Sequence, residues 1–186
     1  MADGTLKVGT ITTSSGSGTI TLGQSGETIN VSGTAGTGFG KILQVVSTLW
    51  SGGSSGTTSS TYAEVSSSLS RTITPSSTSS KIFVTCTGGF SYVPDGNRLS
   101  CNMYYKVGSG SYGEVGNTSY MIGASGSSGI ASAPHSYSFL HSPSSTSELT
   151  YSLYQRRNSG SDTVYATTTN GVTLGMVLTC MEVAGW

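Results

Sequence analysis

The sequence KIFVTCTGGFSYVPDGNRLSCNMYYKV (residues 81–107) carries the clearest strand pattern in the chain. Apolar and polar residues alternate along both halves of this segment, which is typical of strands with one buried face. Between the halves lies Pro94-Asp95-Gly96-Asn97, and an Asp-Gly pair is a strong signal for a two-residue hairpin turn. The segment therefore predicts two antiparallel strands closed into a hairpin.

The register of this hairpin decides which side chains face the core. Closure at the Asp-Gly pair matches Tyr92 with Leu99, Phe90 with Cys101, Cys86 with Tyr105 and Val84 with Val107. All of these residues then lie on one face, and a slip of one residue would divide them between two faces. We therefore expect this shared face to point into the core of an all-β protein.

The three cysteines, Cys86, Cys101 and Cys180, each fall within an apolar alternation. In the predicted hairpin, Cys86 and Cys101 stand on the order of 13 Å apart along the strands. A disulfide requires Cα atoms within about 7 Å. The cysteines are therefore predicted to be buried, reduced thiols in a protein that folds in a cytosol.

A second hairpin is predicted at Asn170-Gly171, with Tyr165 opposite Met176 and Val164 opposite Val177. Its last arm is apolar on both faces, with Val172, Leu174, Met176, Leu178 and Cys180 on one face and Val177, Met181 and Val183 on the other. In a two-sheet sandwich one face of each sheet meets water, so a second apolar face predicts contact with another subunit. Val177, Met181 and Val183 are therefore candidate residues of an oligomer interface.

Further strands are predicted at residues 41–50, 62–74, 135–142 and 147–157, and no window shows sustained helical periodicity. The strand at 41–50 is also apolar on both faces, so we expect other parts of the protein or a partner to cover each of its faces. About eight strands in about 145 residues predict a jelly-roll-like antiparallel β-sandwich.

The first 40 residues follow a different pattern. Short Thr-Ile units recur there and place Ile11, Ile20 and Ile29 nine residues apart, with Gly and Ser between them. Units this short bury their apolar residues only against neighbouring repeats or partner chains. We therefore predict a β-repeat attachment segment at residues 1–40, with the three isoleucines as attachment residues, and a β-sandwich domain at residues 41–186.

The composition excludes several classes of function. The formal net charge is +0, and charged residues make up 9% of the chain, against about a quarter in typical domains. Without a basic cluster, binding to nucleic acid or to an anionic membrane is not expected. No apolar run approaches the roughly 20 residues of a membrane span, and the start of the chain lacks the pattern of a secretory signal.

Two glycine-containing motifs that are typical of enzymes occur in this sequence, but neither is followed by the helix that its function requires. Residues 108–113 match G-x-G-x-x-G and residues 52–56 match G-x-S-x-G, but both motifs require a following helix. His135 and His141 stand roughly 20 Å apart along one strand, too far to share a metal within one chain. Three copies of either could hold a metal on a threefold axis, but hydrogen-bonded histidines in the sandwich are the favoured interpretation. We expect no enzyme, no cofactor and no metal.

Tyrosines outside the apolar pattern are the remaining candidates for a binding surface: Tyr104, Tyr112, Tyr120 and Tyr154. Clustered, their rings would stack on sugar rings. Scattered, they would be ordinary surface tyrosines, which is the interpretation that the sequence alone favours.

Three motifs carry a resemblance to a known family: LSRTITPSSTSSKI (residues 69–82), HSYSFLHSP (residues 135–143) and TCMEVAG (residues 179–185). Together with the threonine-rich repeat at the start, they resemble small virion structural proteins of marine tailed phages, such as those that infect cyanobacteria. The resemblance spans most of the chain and implies a tail-fibre-like protein, or a fibre or decoration on the capsid. It brings no catalytic residues with it.

The prediction that results is a homotrimeric virion structural protein of fibre type, folded in the host cytoplasm. Its N-terminal repeat would anchor it to other tail or capsid proteins, and its sandwich would project outward. Host-surface adhesion, with a surface glycan as the partner, is a hypothesis. A capsid-decorating protein that stabilises the phage shell is the main alternative, and a carbohydrate-binding module is the third.

Overall fold

A computed structural model describes residues 42–115, 120–123, 132–169, 172–173 and 175–184 of the chain. These residues belong to one compact unit. The predicted N-terminal repeat, with Ile11, Ile20 and Ile29, lies outside the described residues, as does the boundary at residue 40. Both remain predictions.

The described part of the chain consists of β-strands joined by turns and loops. The strands are Ile42–Trp50 (β1), Gly56–Thr57 (β2), Ala63–Glu64 (β3), Ser70–Ile73 (β4), Lys81–Phe90 (β5), Arg98–Val107 (β6), Gly113–Glu114 (β7), Tyr120–Gly123 (β8), Pro134–His141 (β9), Leu149–Ser159 (β10), Val164–Tyr165 (β11), Thr168–Thr169 (β12), Val172–Thr173 (β13) and Met176–Val183 (β14). The predicted all-β class is confirmed, and none of the described residues is helical. Accordingly, they include no helix that could span a membrane.

Two sheets contain the long strands. Sheet I has the order β1-β14-β5-β9, and sheet II has the order β3-β10-β6-β7, with β4 also pairing with β10 and β8 with β6. Two small ribbons, β2 with β11 and β12 with β13, lie outside these sheets. All the pairings are antiparallel.

One apolar core joins the two sheets. Val84 and Leu178 of sheet I and Leu99, Met103 and Leu153 of sheet II are all fully buried in it. Burying one such side chain contributes about 1.5–3 kcal/mol to stability. The inward residues of β14 alternate strictly with outward ones, so sheet I has a core face and an outer face.

The predicted hairpin between residues 82 and 107 is wrong in its pairing. β5 lies in sheet I and β6 in sheet II, so none of the four predicted cross-strand pairs forms. In the turn, the Asn97 amide donates to the Pro94 carbonyl at 3.1 Å, and Gly96 has a φ of 73° while Asp95 keeps a negative φ. This is the pattern of a type II turn. Such a turn splays its flanking strands, whereas the type I′ turn that is common in two-residue hairpins would have kept them paired.

The prediction that the alternating apolar side chains of these two strands point into the core is largely confirmed. Val84, Cys86, Leu99 and Cys101 are all buried, because the two sheets present their inner faces to one another. Phe90 and Val107 are exceptions, with 36% and 42% of their surfaces exposed. Just before Phe90, the register with β9 shifts between Gly88 and Phe90, and such a bulge changes which face the next side chain occupies.

The second predicted hairpin is confirmed only at its tip. Thr168 pairs with Thr173 and Thr169 with Val172, in the register expected for a turn at Asn170-Gly171. The predicted pairs farther along the arms are wrong: Val164 and Tyr165 pair with Thr57 and Gly56 of β2, and Met176 and Val177 pair with residues of β1 and β5. β14 already has β1 on one side and β5 on the other, so it has no edge left for β11.

The other predicted strands differ in accuracy. Those at 41–50, 135–142 and 147–157 correspond to β1, β9 and β10 with ends shifted by no more than two residues. The strand predicted at 62–74 is instead two strands, β3 and β4. Ser66–Ser68 separate them in a turn, where the Ser68 amide donates to the Ser66 hydroxyl at 3.2 Å. Serine side chains stabilise turns in this way.

Candidate functional site

The outer face of sheet I carries an apolar row across all four strands. Val45 of β1, Met181 of β14, Phe83 of β5 and Leu140 of β9 stand side by side in the strand register. Val45 is 55% exposed and Leu140 47% exposed, while Met181 and Phe83 are half-buried. Large apolar side chains that stand together in water are unusual on a monomer.

The neighbouring rows of this outer face are also uncharged. One row consists of hydroxyl residues only, namely Ser47, Thr179, Thr85 and Ser138, and the next contains Leu49, Val177, Thr87 and Ser136. The Ser47 and Thr179 hydroxyls lie 3.0 Å apart and share a hydrogen bond. Among the described residues that point outward from sheet I, only Lys81 is charged.

The structure brings the predicted interface residues together on this face. Val177, Met181 and Val183 project from β14 at alternate positions, and each is half-buried. Val183 pairs with Ile42 and with Lys81 at the margin of the face. We call this surface, the outward residues of β1, β14, β5 and β9, the apolar face. Its role as an interface remains a prediction.

The outer face of sheet II has a different character. Tyr62, Tyr104, Tyr154 and Tyr112 form a continuous series of rings, with centroid separations of 5.7, 4.1 and 5.5 Å in that order. Tyr104 and Tyr154 are stacked, with 25° between their planes. All four rings are half-buried. We call these four residues the tyrosine array.

Charged side chains of both signs border the tyrosine array. The Arg156 guanidinium lies 4.6 Å from the centre of the Tyr62 ring, and the Lys106 ammonium lies 5.1 Å from that of Tyr112. The Tyr104 hydroxyl donates to Glu114 Oε1 at 2.9 Å. Across the strands Glu64 pairs with Tyr154, and its carboxylate accepts a hydrogen bond from Ser152 Oγ at 2.6 Å. Two carboxylates and two cations therefore border the rings.

The surroundings of the array hold its phenols in the neutral form. Burial raises the pKa of Tyr104, and the hydrogen bond to Glu114 raises it further. Burial also raises the pKa of Tyr154 to about 12, with the Glu64 charge acting in the same direction. The pKa of Tyr112 rises for the same two reasons. These hydroxyls therefore remain hydrogen-bond donors at any physiological pH.

A small cavity adjoins one end of the array. It has a volume of about 260 Å³ and is lined by Lys106, Glu114 and the loop residues Gly110 and Ser111, among others. Pockets that enclose a drug-sized ligand are roughly 300–1,000 Å³, so this cavity matches the size of a single small ring. Lys106 and Glu114 belong both to its lining and to the border of the array.

The two catalytic-looking glycine motifs have no helix after them. Residues 108–113 join β6 to the short strand β7, and residues 52–56 lead into β2. Within the second motif, Ser54 is exposed. Ser55 is instead hydrogen-bonded within the fold. Its hydroxyl donates to the Val65 carbonyl and accepts from the side-chain amide of Gln155. The absence of an enzymatic function remains a prediction.

The two histidines both face inward from β9. The His141 ring Nδ1 and the Tyr151 hydroxyl share a hydrogen bond of 2.7 Å. Burial lowers the pKa of His135 to about 4, against the effect of a backbone hydrogen bond with Ala166. No group of three or more metal-ligating side chains occurs in the part of the chain described. Both histidines thus lie on the inner side of sheet I, each with a hydrogen bond, as the favoured interpretation expects. The absence of a metal site remains a prediction.

The predicted state of the cysteines is also confirmed. Cys86, Cys101 and Cys180 are all buried, and none is in a disulfide. Burial raises the pKa of Cys86 to about 12, which keeps the thiol protonated and unreactive. Cys86 and Cys101 lie in opposite sheets, so the separation along one hairpin that the sequence predicted does not apply to them.

The sequence singled out Tyr104, Tyr112 and Tyr154 but not their arrangement. The sequence alone favours tyrosines scattered over the surface. The structure instead brings these three together with Tyr62, a residue that the sequence does not single out. Tyr120 lies in β8, whose side chains are outside the description. The clustering depends on the β6–β10 pairing. The sequence indicates the array in one respect only: Tyr154 and Arg156 occupy alternate positions along β10 and therefore project from the same face of that strand.

A scan against protein-family models finds no match to this chain, and a search of curated proteins finds none. The two outer faces of the sandwich are therefore the structural features that bear on function.

Proposed function

We propose that the chain is a virion structural protein of fibre type that assembles with copies of itself into a homotrimer. The single observation that carries this proposal is the apolar face. The phage origin draws on the resemblance of residues 69–82, 135–143 and 179–185 to virion proteins of marine tailed phages. Anchoring through Ile11, Ile20 and Ile29 and localisation to the virion belong to the same proposal.

The chemistry of the apolar face favours another copy of this chain as its partner. A surface whose one charged residue among those described, Lys81, lies at the margin gives a charged partner little to pair with, whereas a second apolar row complements the first. A hydroxyl both donates and accepts hydrogen bonds. The row of Ser47, Thr179, Thr85 and Ser138 is therefore complementary to itself as well.

The size of the apolar face indicates that it acts together with another contact. Four strands spaced about 4.8 Å apart, with about six residues each, give a face of roughly 20 Å by 20 Å. Three such faces that meet around a threefold axis bury about 1,200 Å² in total, or about 400 Å² for each copy, less than the roughly 1,200–2,000 Å² of a stable pairwise interface. The predicted β-repeat of residues 1–40 would supply the remaining contact.

The jelly-roll part of the proposal has support in the strand order. The long strands β1, β5, β9 and β14 lie in sheet I, and the segments between them, β3–β4, β6–β8 and β10, lie in sheet II. The chain thus crosses repeatedly from one sheet to the other. Two packed antiparallel sheets connected by repeated crossings of this kind are characteristic of jelly rolls, which occur in viral capsid domains.

A charge placed in the centre of the apolar face tests the oligomer. We expect the full chain to have the mass of a trimer in native mass spectrometry. Met181→Lys should dissociate it into monomers, since the ammonium would be buried without a counter-charge. Far-UV circular dichroism should remain unchanged because Met181 lies outside the core.

Thr72→Lys is the matched control, because Thr72 is exposed on β4 of sheet II. This variant should remain a trimer. A wild-type chain that is monomeric at micromolar concentration, or a Met181→Lys variant that remains trimeric, would contradict the proposal.

A further inference from the structure

The tyrosine array has features of a binding surface that its packing role does not explain. Its rings are on the outer face of sheet II, away from the core between the sheets. Four of the ten tyrosines of the chain gather there. Tyrosine has few rotatable bonds, so it offers a large contact area at a low cost in conformational entropy. Ring contacts with neighbours hold each ring in place before any ligand arrives.

The bordering charges restrict the class of ligand. Glu64 and Glu114 balance Arg156 and Lys106, so the surface has no net charge to attract a polyanion. The two carboxylates would also repel the phosphates of a nucleic acid. A cationic ligand is disfavoured as well, because Arg156 and Lys106 each lie over one face of a ring, at Tyr62 and Tyr112, and would repel a further cation.

A neutral, polyhydroxylated ring suits all of these groups at once. Its C–H face can lie against a ring face that the Tyr104–Tyr154 stack and the two cations leave open, because the π face of a tyrosine is electron-rich. A carboxylate has about four lone-pair sites, so Glu64 and Glu114 retain acceptor capacity beside the bonds from Ser152 and Tyr104. Sugar hydroxyls can donate to these carboxylates and accept from Lys106. The cavity of about 260 Å³ lined in part by Lys106 and Glu114 offers space for one sugar ring.

We propose that the tyrosine array and its bordering charges form a binding site for a neutral saccharide. The series Tyr62, Tyr104, Tyr154 and Tyr112 extends over several ring diameters, which fits a chain of two or three sugar units. This inference deepens the host-adhesion hypothesis, but the site lies on the opposite side of the sandwich from the apolar face. It is therefore tested separately from the oligomer.

Titration calorimetry of the full chain against neutral trisaccharides (cellotriose, maltotriose, mannotriose and chitotriose) tests the site. We expect at least one of them to bind with a dissociation constant below about 10 mM. Tyr112→Ala should weaken that binding about tenfold, since it removes one stacking contact. Tyr112→Phe should retain most of it, because the ring remains. Tyr112 lies in a loop, so both variants should fold.

Tyr92→Ala is the matched control, because Tyr92 is a half-buried tyrosine in contact with Tyr165 and not with the array. It should bind as the wild type does. The proposal is overturned if no trisaccharide binds, if Tyr112→Ala and Tyr92→Ala lose binding equally, or if oligothymidylate binds in preference with a steep salt dependence. None of these outcomes bears on the trimer, whose test is the native mass.

Discussion

The carboxylate of Glu182 is fully buried near the end of β14 and joins three parts of the fold. Its Oε1 accepts hydrogen bonds from the Ser76 amide at 2.7 Å and the Ser76 hydroxyl at 2.6 Å. Its Oε2 accepts one from Gln44 Nε2 at 2.6 Å. Burial opposes ionisation, but these bonds prevail and hold the pKa of Glu182 below its usual value of 4.5. The ionised form is therefore the stabilising one.

This carboxylate makes stability depend on pH in a predictable direction. Because the folded-state pKa of Glu182 is depressed, its contribution is fully present above pH 4.5 and is lost as the pH falls through the folded value. Glu182→Gln places an amide donor against the donors of Ser76 or Gln44. We expect it to lower the free energy of unfolding at pH 7 by about 1.5–3 kcal/mol, measured by urea denaturation.

The exposed Glu148 provides the control for this effect. Glu148→Gln should change the free energy of unfolding by no more than about 0.5 kcal/mol. The difference between wild type and Glu182→Gln should shrink below pH 4.5, and a constant difference across that range would refute the assignment. The sequence could not single out Glu182, since an acidic residue on the inward side of a strand departs from the pattern. Its partner Ser76 is 106 residues away.

At the scale of single elements, two glycines redirect the strands. Gly88 has a φ of 92° at the bulge in β5, and Gly96 has a φ of 73° in the turn that leads to sheet II. An added Cβ at Gly88 would lie 2.5 Å from the Gly175 carbonyl oxygen, whereas at Gly96 it would meet no atom within 4 Å. Alanine at Gly96 therefore introduces backbone strain alone, whereas alanine at Gly88 introduces backbone strain together with steric overlap.

Alanine substitutions at these glycines should differ in their cost. Gly96→Ala requires only a left-handed backbone and should destabilise the protein by about 1–2 kcal/mol. Gly88→Ala should cost more, about 3–4 kcal/mol, because a backbone carbonyl cannot move aside as a side chain can. Chemical denaturation at pH 7 measures both. Equal losses would show that the bulge relaxes around the new methyl group.

The strands themselves were predictable, and their partners were less so. Alternation is a local signal, which is why the segments of β1, β5, β6, β9, β10 and β14 follow from the sequence. Partner choice depends on whether the turn at Gly96 is of type I′ or type II, and an Asp-Gly pair is compatible with both. The pairing of β14 with β1 and β5 is set by contacts distant in sequence. The tyrosine array depends on such pairing, so it could not be predicted either.

At the scale of the whole molecule, the proposed fibre role and the capsid-decoration alternative predict different locations. A fibre-type protein should copurify with tails separated from DNA-filled heads, as detected by immunoblotting of gradient fractions. A chain found only with heads would instead support the decorating role. A chain with Ile11, Ile20 and Ile29 all changed to Ser serves as the control. It should be absent from both fractions, since attachment is predicted to need those residues.

The two outer faces of the sandwich lie on opposite sides of the core, one uncharged and apolar, the other rich in tyrosine. An assembly that buries the first therefore displays the second on every copy. In the proposed homotrimer, three weak saccharide sites would raise the effective concentration at each site, and avidity can exceed the single-site affinity by about 10²–10⁴. Millimolar recognition by one chain would then suffice for firm adhesion to a surface that repeats the same glycan. A free monosaccharide would still dissociate readily.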